Sequence, residues 1–268
     1  MQLDDYRLYT AALTQSLADD PRVLGLIALG SMAEQDYLPD QWSDHDFFVV
    51  TIPGQQEAFR TDLSWLPNHQ RIAFWFRDSP HALRAVFDSG HLLEFVLFDE
   101  AELAAHGQIN RYRVLLDRSD VTRLAAEVAE RTTREAGGGS GDDRRLLGEF
   151  LTNLMVGTAR TRRGERLSGH LFVKSYALEL LVRLLAKHVP AERHALLDSL
   201  APTRRFDQVY PELAAGLDEA AYLPSAEAAL RMLDVAEPAL RQYMPDFPEQ
   251  HIAVARRYLV SHTPQDGG

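Results

Sequence analysis

The chain has 268 residues, 46% of them hydrophobic and 25% charged, proportions that exclude a disordered chain or a disulfide-stapled miniature. Its formal charge of −11 opposes wholesale binding to nucleic acid or to an anionic membrane, because both reward neutralisation of phosphates by Lys and Arg. It contains no cysteine, so disulfides, thiolate catalysis and Cys-based zinc sites are excluded, and any metal must sit on oxygen or imidazole.

Single cores usually stop growing near ~250 residues, so two domains are expected. The N-terminal Met-Gln-Leu-Asp-Asp is no basic, apolar leader, and no apolar run approaches the ~20 residues of a membrane span; a cytoplasmic protein is expected. Apolar spacing predicts a first helix over about Asp5 to Leu17, ended by Pro21. Strands are predicted at Val23 to Leu29, Phe47 to Thr51, Arg71 to Phe76, Leu92 to Phe98 and Arg113 to Leu116. Helices are predicted around Gln55 to Trp65, His81 to Asp88 and Asp120 to Arg134. The run Gly137-Gly138-Gly139-Ser140-Gly141 has the composition of a linker. Beyond it the spacing is helical, at Asp143 to Arg162, His170 to His188, Glu212 to Tyr222, Ser225 to Tyr243 and Glu249 to Leu259. The expected class is α+β: residues 1–136 form a mixed sheet with flanking helices, 137–141 link, and 142–268 form a helical bundle.

The chemistry concentrates in two stretches, Leu29-Gly30-Ser31 and Ser43-Asp44-His45-Asp46-Phe47. Residues two apart in a strand share a face, so Asp44 and Asp46 can aim both carboxylates at one point while His45 turns away. Two carboxylates at a strand mouth form a partial shell for a hard cation such as Mg²⁺, which takes oxygen ligands and retains waters and phosphates. Gly30 lets backbone approach a phosphate, and the Ser31 hydroxyl can donate to it.

A Gly-Ser turn followed by an Asp-x-Asp pair resembles the signature of the polymerase-β-like nucleotidyltransferases. That family carries a third acid on a later strand, and Leu93-Glu94-Phe95-Val96-Leu97 resembles that strand, with Glu94 the best match and Asp88 and Asp99 as weaker substitutes. An acid among apolar strand residues needs a reason to be there, and metal coordination supplies one. The order of parts, a small catalytic domain and then a helical bundle, is similar to the bacterial lincosamide and aminoglycoside nucleotidyltransferases. The specific motifs occupy only Gly30 to Val50 and Leu92 to Asp99.

The resemblance implies Mg²⁺ on Asp44, Asp46 and Glu94, and transfer of a nucleoside monophosphate, AMP from ATP, to a hydroxyl of a small acceptor such as an antibiotic. It also implies cations for the triphosphate from the helical half. Lys174, which interrupts the apolar Leu171-Phe172-Val173, and Arg160 and Arg163 are the candidates, beside Gly30 and Ser31. Expected partners are a nucleoside triphosphate and the acceptor, with neither nucleic acid nor membrane, and a homodimer is left open. Two alternatives stand beside this reading: nucleotidylation of a protein, as in toxin-neutralising enzymes, and a nucleotide-binding module without catalysis. No His-Glu-x-x-His, phosphate-binding P-loop or Gly-x-Ser-x-Gly elbow supports another chemistry.

Overall fold

The computed structural model describes residues 2–136 and 140–262. It divides into two compact units, Met1–Glu135 and Ala136–Gly268. Of the expected linker, residues 137–139 lie outside the described residues, whereas Ser140 and Gly141 open a helix. The protein is α+β. No helix among the described residues is long and apolar enough to cross a membrane.

The first unit opens with α1 (Leu3–Ala18), followed by β1 (Val23–Leu29) and a single 3₁₀ turn at Gly30–Ala33. Then come β2 (His45–Thr51), α2 (Gln56–Thr61), β3 (Ile72–Arg77), β4 (Ala82–Phe87) and β5 (Leu92–Phe98). It closes with α3 (Glu100–His106), β6 (Tyr112–Asp117) and α4 (Val121–Ala136). The strands form one mixed sheet in the order β3-β4-β5-β2-β1-β6, in which only β2 and β5 run parallel.

Alternation along the central strands splits their side chains between two cores. Phe47, Val49, Leu93, Phe95 and Leu97 pack beneath α1 and α2 with Tyr6, Leu13, Leu17 and Phe59. Phe48, Val50 and Phe98 face the other way, onto Leu103 of α3 and Val121, Ala125 and Val128 of α4. Strands covered on both faces read as continuous apolar runs, which is why Val23–Leu29 and Phe47–Thr51 show no polar alternation.

The helix expected at His81 to Asp88 is strand β4. Ala-Leu-Arg-Ala is helix-favouring by composition, yet Leu83, Ala85 and Phe87 are buried at a period of two and pair against both neighbours. A turn at Gly90, with φ +81°, leads directly into β5. Cross-strand packing therefore overrides local propensity here. The sequence reading also missed the short α3, which Asp99 starts by accepting from the Glu102 N–H while the Glu102 carboxylate accepts from the Asp99 N–H.

The second unit holds α5 (Ser140–Arg162), α6 (Arg166–Leu171), a π-helical segment (Phe172–Ala177) and α7 (Leu178–His188). The short α8 (Phe206–Val209) precedes α9 (Pro211–Tyr222), α10 (Ser225–Tyr243) and α11 (Glu249–His262). Its core gathers Phe150, Leu154, Leu181, Leu185, Met232, Leu233, Leu240 and Leu259. Helices α5 and α6 approach so closely at Gly169 that a Cβ there would overlap the Thr161 hydroxyl and lie 2.9 Å from the Gly157 carbonyl oxygen.

At an exposed helical position Gly→Ala gains up to ~1 kcal/mol. At Gly169 the overlap reverses the sign, and Gly169→Ala should lose about 1–3 kcal/mol of unfolding free energy, read from urea denaturation.

Candidate functional site

Pairing across the sheet assembles the site. Phe76 stands opposite Arg84, Arg84 opposite Glu94, and Glu94 opposite Asp46. Directly opposed residues share a face, so the four form one row across β3, β4, β5 and β2, spanning about 14 Å at the usual strand spacing. The row lies on the α3 and α4 side of the sheet but near the open strand ends, where Phe74, Phe76 and Arg84 remain exposed or half-exposed.

Beside Asp46 the chain turns at Gly30, whose φ is +52°. A Cβ at residue 30 would sit 3.9 Å from Asp46 Oδ2 and 3.9 Å from the Tyr37 hydroxyl. Glycine therefore supplies both the left-handed backbone and an open cradle next to a carboxylate. Asp44 lies just before β2, two residues from Asp46, and both are half-buried.

A buried pillar holds these pieces together. His45, with no exposed surface, stacks on the Tyr6 ring at 3.8 Å between centroids. The Tyr6 hydroxyl donates to the Asp44 carbonyl at 2.7 Å and stands 3.3 Å from Ser31 Oγ, so one phenol bridges the glycine turn and the acid segment. Burial pushes that phenol's pKa up, which keeps its proton in place for donation. His45 Nε2–H points at the Tyr6 carbonyl at 3.2 Å. A carbonyl can only accept, so His45 Nδ1 is left to accept from His91 Nε2 at 2.7 Å. Burial, and then His91, lower the His45 pKa from 6.5 to about 3.

An open groove of about 900 Å³ lies on the α1 side of Asp44, lined by Leu8, Tyr9, Trp42, Ser43 and His91. Trp42 is 85% exposed over it, and the Tyr9 hydroxyl is buried with no hydrogen-bond partner among the described residues.

The other expected residues have the following partners. Glu94 Oε1 accepts from Arg84 Nε at 2.8 Å, and the same guanidinium reaches Asp78 at 3.3 Å. Asp88 pairs with Arg71 and Asp99 caps α3, which occupies both substitutes for Glu94. Arg160 donates to Ser168 Oγ at 2.5 Å and lies over the Phe172 ring, and Arg163 pairs with Glu165. Lys174, within the π-helical segment, donates to the Ala221 carbonyl at 2.9 Å in the last turn of α9, a site that favours a cation.

Asp44, Asp46 and Glu94 offer hard oxygen donors, and two of them are register neighbours, a set whose chemistry suits Mg²⁺. Among the described residues, however, no three His, Asp or Glu side chains are gathered closely enough to hold a metal ion, and Arg84 supplies Glu94 with its counter-charge. Sequence reasoning missed Arg84 because its neighbourhood reads as helix, and Phe76 because an aromatic residue in an expected strand carries no mark of a site. It missed Tyr6 because nothing local marks a tyrosine that contacts residues 31 and 44.

No family model matches the sequence, and no curated protein matches it. Among solved structures it is similar to an aminoglycoside 6-adenyltransferase from Bacillus subtilis, with 11% identity over 96% of this chain and 92% of that one and a TM-score of 0.35. So distant a likeness assigns no role, and the reading below rests on the residues themselves.

The His45 environment makes stability pH-dependent. The buried ring titrates near 3 and its unfolded counterpart near 6.5, so between those values the unfolded chain binds more protons. Its contribution is complete above pH 6.5 and is lost as pH falls toward 3. Lowering the pH from 7 to 5 should remove about 2 kcal/mol through this group. His45→Gln, compared with the parent in urea titrations at both pH values, should show that much less pH dependence.

Proposed function

We propose that the protein is a Mg²⁺-dependent nucleotidyltransferase that moves a nucleoside monophosphate from a triphosphate, ATP by preference, to a hydroxyl of a small acceptor. The observation that supports this most directly is the Gly30 cradle beside Asp46, with Glu94 as the register neighbour of that acid. Backbone at Gly30 and the Ser31 hydroxyl would bind phosphate oxygens, while Asp44 and Asp46 would hold the cation, with Glu94 either joining them or taking the acceptor's proton. When bound, Mg²⁺ supplies positive charge against the triphosphate and lowers the pKa of the attacking hydroxyl. The acceptor oxygen forms a bond to the α-phosphorus, the bond to the bridging oxygen breaks, and pyrophosphate leaves. An acceptor of the aminoglycoside or lincosamide kind fits this reading.

The Arg84–Glu94 ion pair favours a second reading, a module that binds nucleotide without transferring it, because a paired carboxylate is a poorer ligand and base. Incubation with ATP, Mg²⁺ and a panel of hydroxylated antibiotics, followed by mass spectrometry, separates the two. A nucleoside-monophosphate adduct with pyrophosphate supports transfer, whereas ATP binding without pyrophosphate supports the module, and label on protein would redirect the acceptor to a polypeptide.

For the transfer reading, Asp44→Asn and Asp46→Asn should each lower turnover on the order of 10²-fold or more while the circular dichroism spectrum stays unchanged. Near-normal turnover in either variant would remove that residue from the metal shell.

A further inference from the structure

Strand β3 ends the sheet, and among the described residues no strand lies beside its outer side. Edge strands are normally short of apolar surface or protected by charge, since an open, flat, hydrophobic edge invites another strand. Here the sequence is Ile-Ala-Phe-Trp-Phe-Arg, and every residue from 73 to 77 is exposed. Phe74, Trp75 and Phe76 keep 57%, 42% and 44% of their surface open.

The backbone is poised for pairing. Asp78 N–H donates to the Ala82 carbonyl, so Asp78 faces β4, and by alternation Phe76 and Phe74 do too. Trp75 and Arg77 therefore turn their N–H and C=O groups outward, away from the sheet.

We propose that β3 is a self-association edge at which a second copy of this chain adds its own β3 antiparallel, about a two-fold axis through Trp75, to make one sheet continuous across two molecules. Symmetry requires opposed residues to share a face, and centring the axis on Trp75 is the register that sets all three aromatic residues against aromatic residues. Trp75 then meets Trp75 of the second copy in a doubly hydrogen-bonded pair, and Phe74 meets Phe76. Arg77, the only charge on the strand, falls opposite Ala73, so the two guanidinium groups do not meet. With aromatic side chains of ~150–250 Å² each, the three rings expose roughly 300 Å² per copy. A pair therefore approaches two-thirds of the ~1,000 Å² that marks a specific interface, before backbone and flanking loops are counted. Other partners would need to bring a matching apolar strand, whereas a second copy carries it by construction.

The chain has no cysteine, which permits a direct test. Phe74 of one copy and Phe76 of the other form a non-hydrogen-bonded pair, ~4.5 Å apart at Cα and inside the disulfide range. An equimolar mixture of Phe74→Cys and Phe76→Cys proteins should therefore give a covalent dimer under mild oxidation. Leu8→Cys, at a position 69% exposed on α1, should stay monomeric under the same conditions. In sedimentation equilibrium the unmodified protein should be a dimer, and Trp75→Lys should weaken association more than tenfold with an unchanged circular dichroism spectrum, as loss of a central aromatic anchor does. Four results overturn the proposal: a monomeric parent at the highest attainable concentration, a dimer indifferent to Trp75→Lys, a ladder of higher oligomers, or cross-linking of Leu8→Cys as fast as the mixture of Phe74→Cys and Phe76→Cys.

Discussion

The first unit depends on one strand being apolar on both sides. In β2, Phe47 and Val49 lock into the layer under α1 and α2 while Phe48 and Val50 lock into the layer under α3 and α4. A slip of one residue would exchange the two sets and misfit both layers, so the register of β2 is strongly specified. Because β2 and β5 run parallel, the same register sets Asp46 beside Glu94. The carboxylates are adjacent because the phenylalanines beneath them are adjacent.

Within that row Glu94 is matched by a guanidinium. An acid half-buried at the mouth of an apolar strand is costly unless something offsets it. Arg84 does so for Glu94 and leans on Asp78 at the same time. A guanidinium shared between two carboxylates gives up one of them more readily than a lone pair would, because its remaining partner still neutralises it. His45 is kept neutral beneath the acids by burial and by His91. The site therefore has a carboxylate-paired guanidinium toward β4 and a neutral imidazole toward α1.

Much of this was legible from residues alone, and the failures have physical causes. The apolar runs of β1, β2 and β5 and the amphipathic α9 and α10 were visible because each repeats one period over its whole length. Gly30, Asp44 and Asp46 were singled out as a Gly-Ser turn followed by an Asp-x-Asp pair, and Glu94 as an acid among apolar strand residues. β4 was misread because Ala-Leu-Arg-Ala satisfies a helical pattern as well as a period of two, and only its pairing with β3 and β5 decides between them. That error concealed Arg84. Lys174 was singled out because a charge interrupts an apolar stretch, and its ammonium donates to a carbonyl at the end of α9. Contacts between distant residues, such as Tyr6 with Asp44, leave no local trace.

The mixed order of the sheet also sets the timing of folding. β1 is complete by residue 29, but one of its two neighbours, β6, lies roughly ninety residues later, as Gly25 opposite Asp117 shows. Its other neighbour, β2, must in turn await β5 for its parallel partner. At typical translation rates of ~5–20 residues per second, the central strands spend several seconds with unpaired edges as the chain emerges from the ribosome. The second unit waits as long, because α5 packs against α11 and the Arg162 guanidinium donates to the His262 carbonyl a hundred residues later. What distinguishes the first half is the kind of surface left waiting: until residue 117 emerges, β1 shows an open strand edge, a template for chaperones and for misassociation that unpaired helices do not offer.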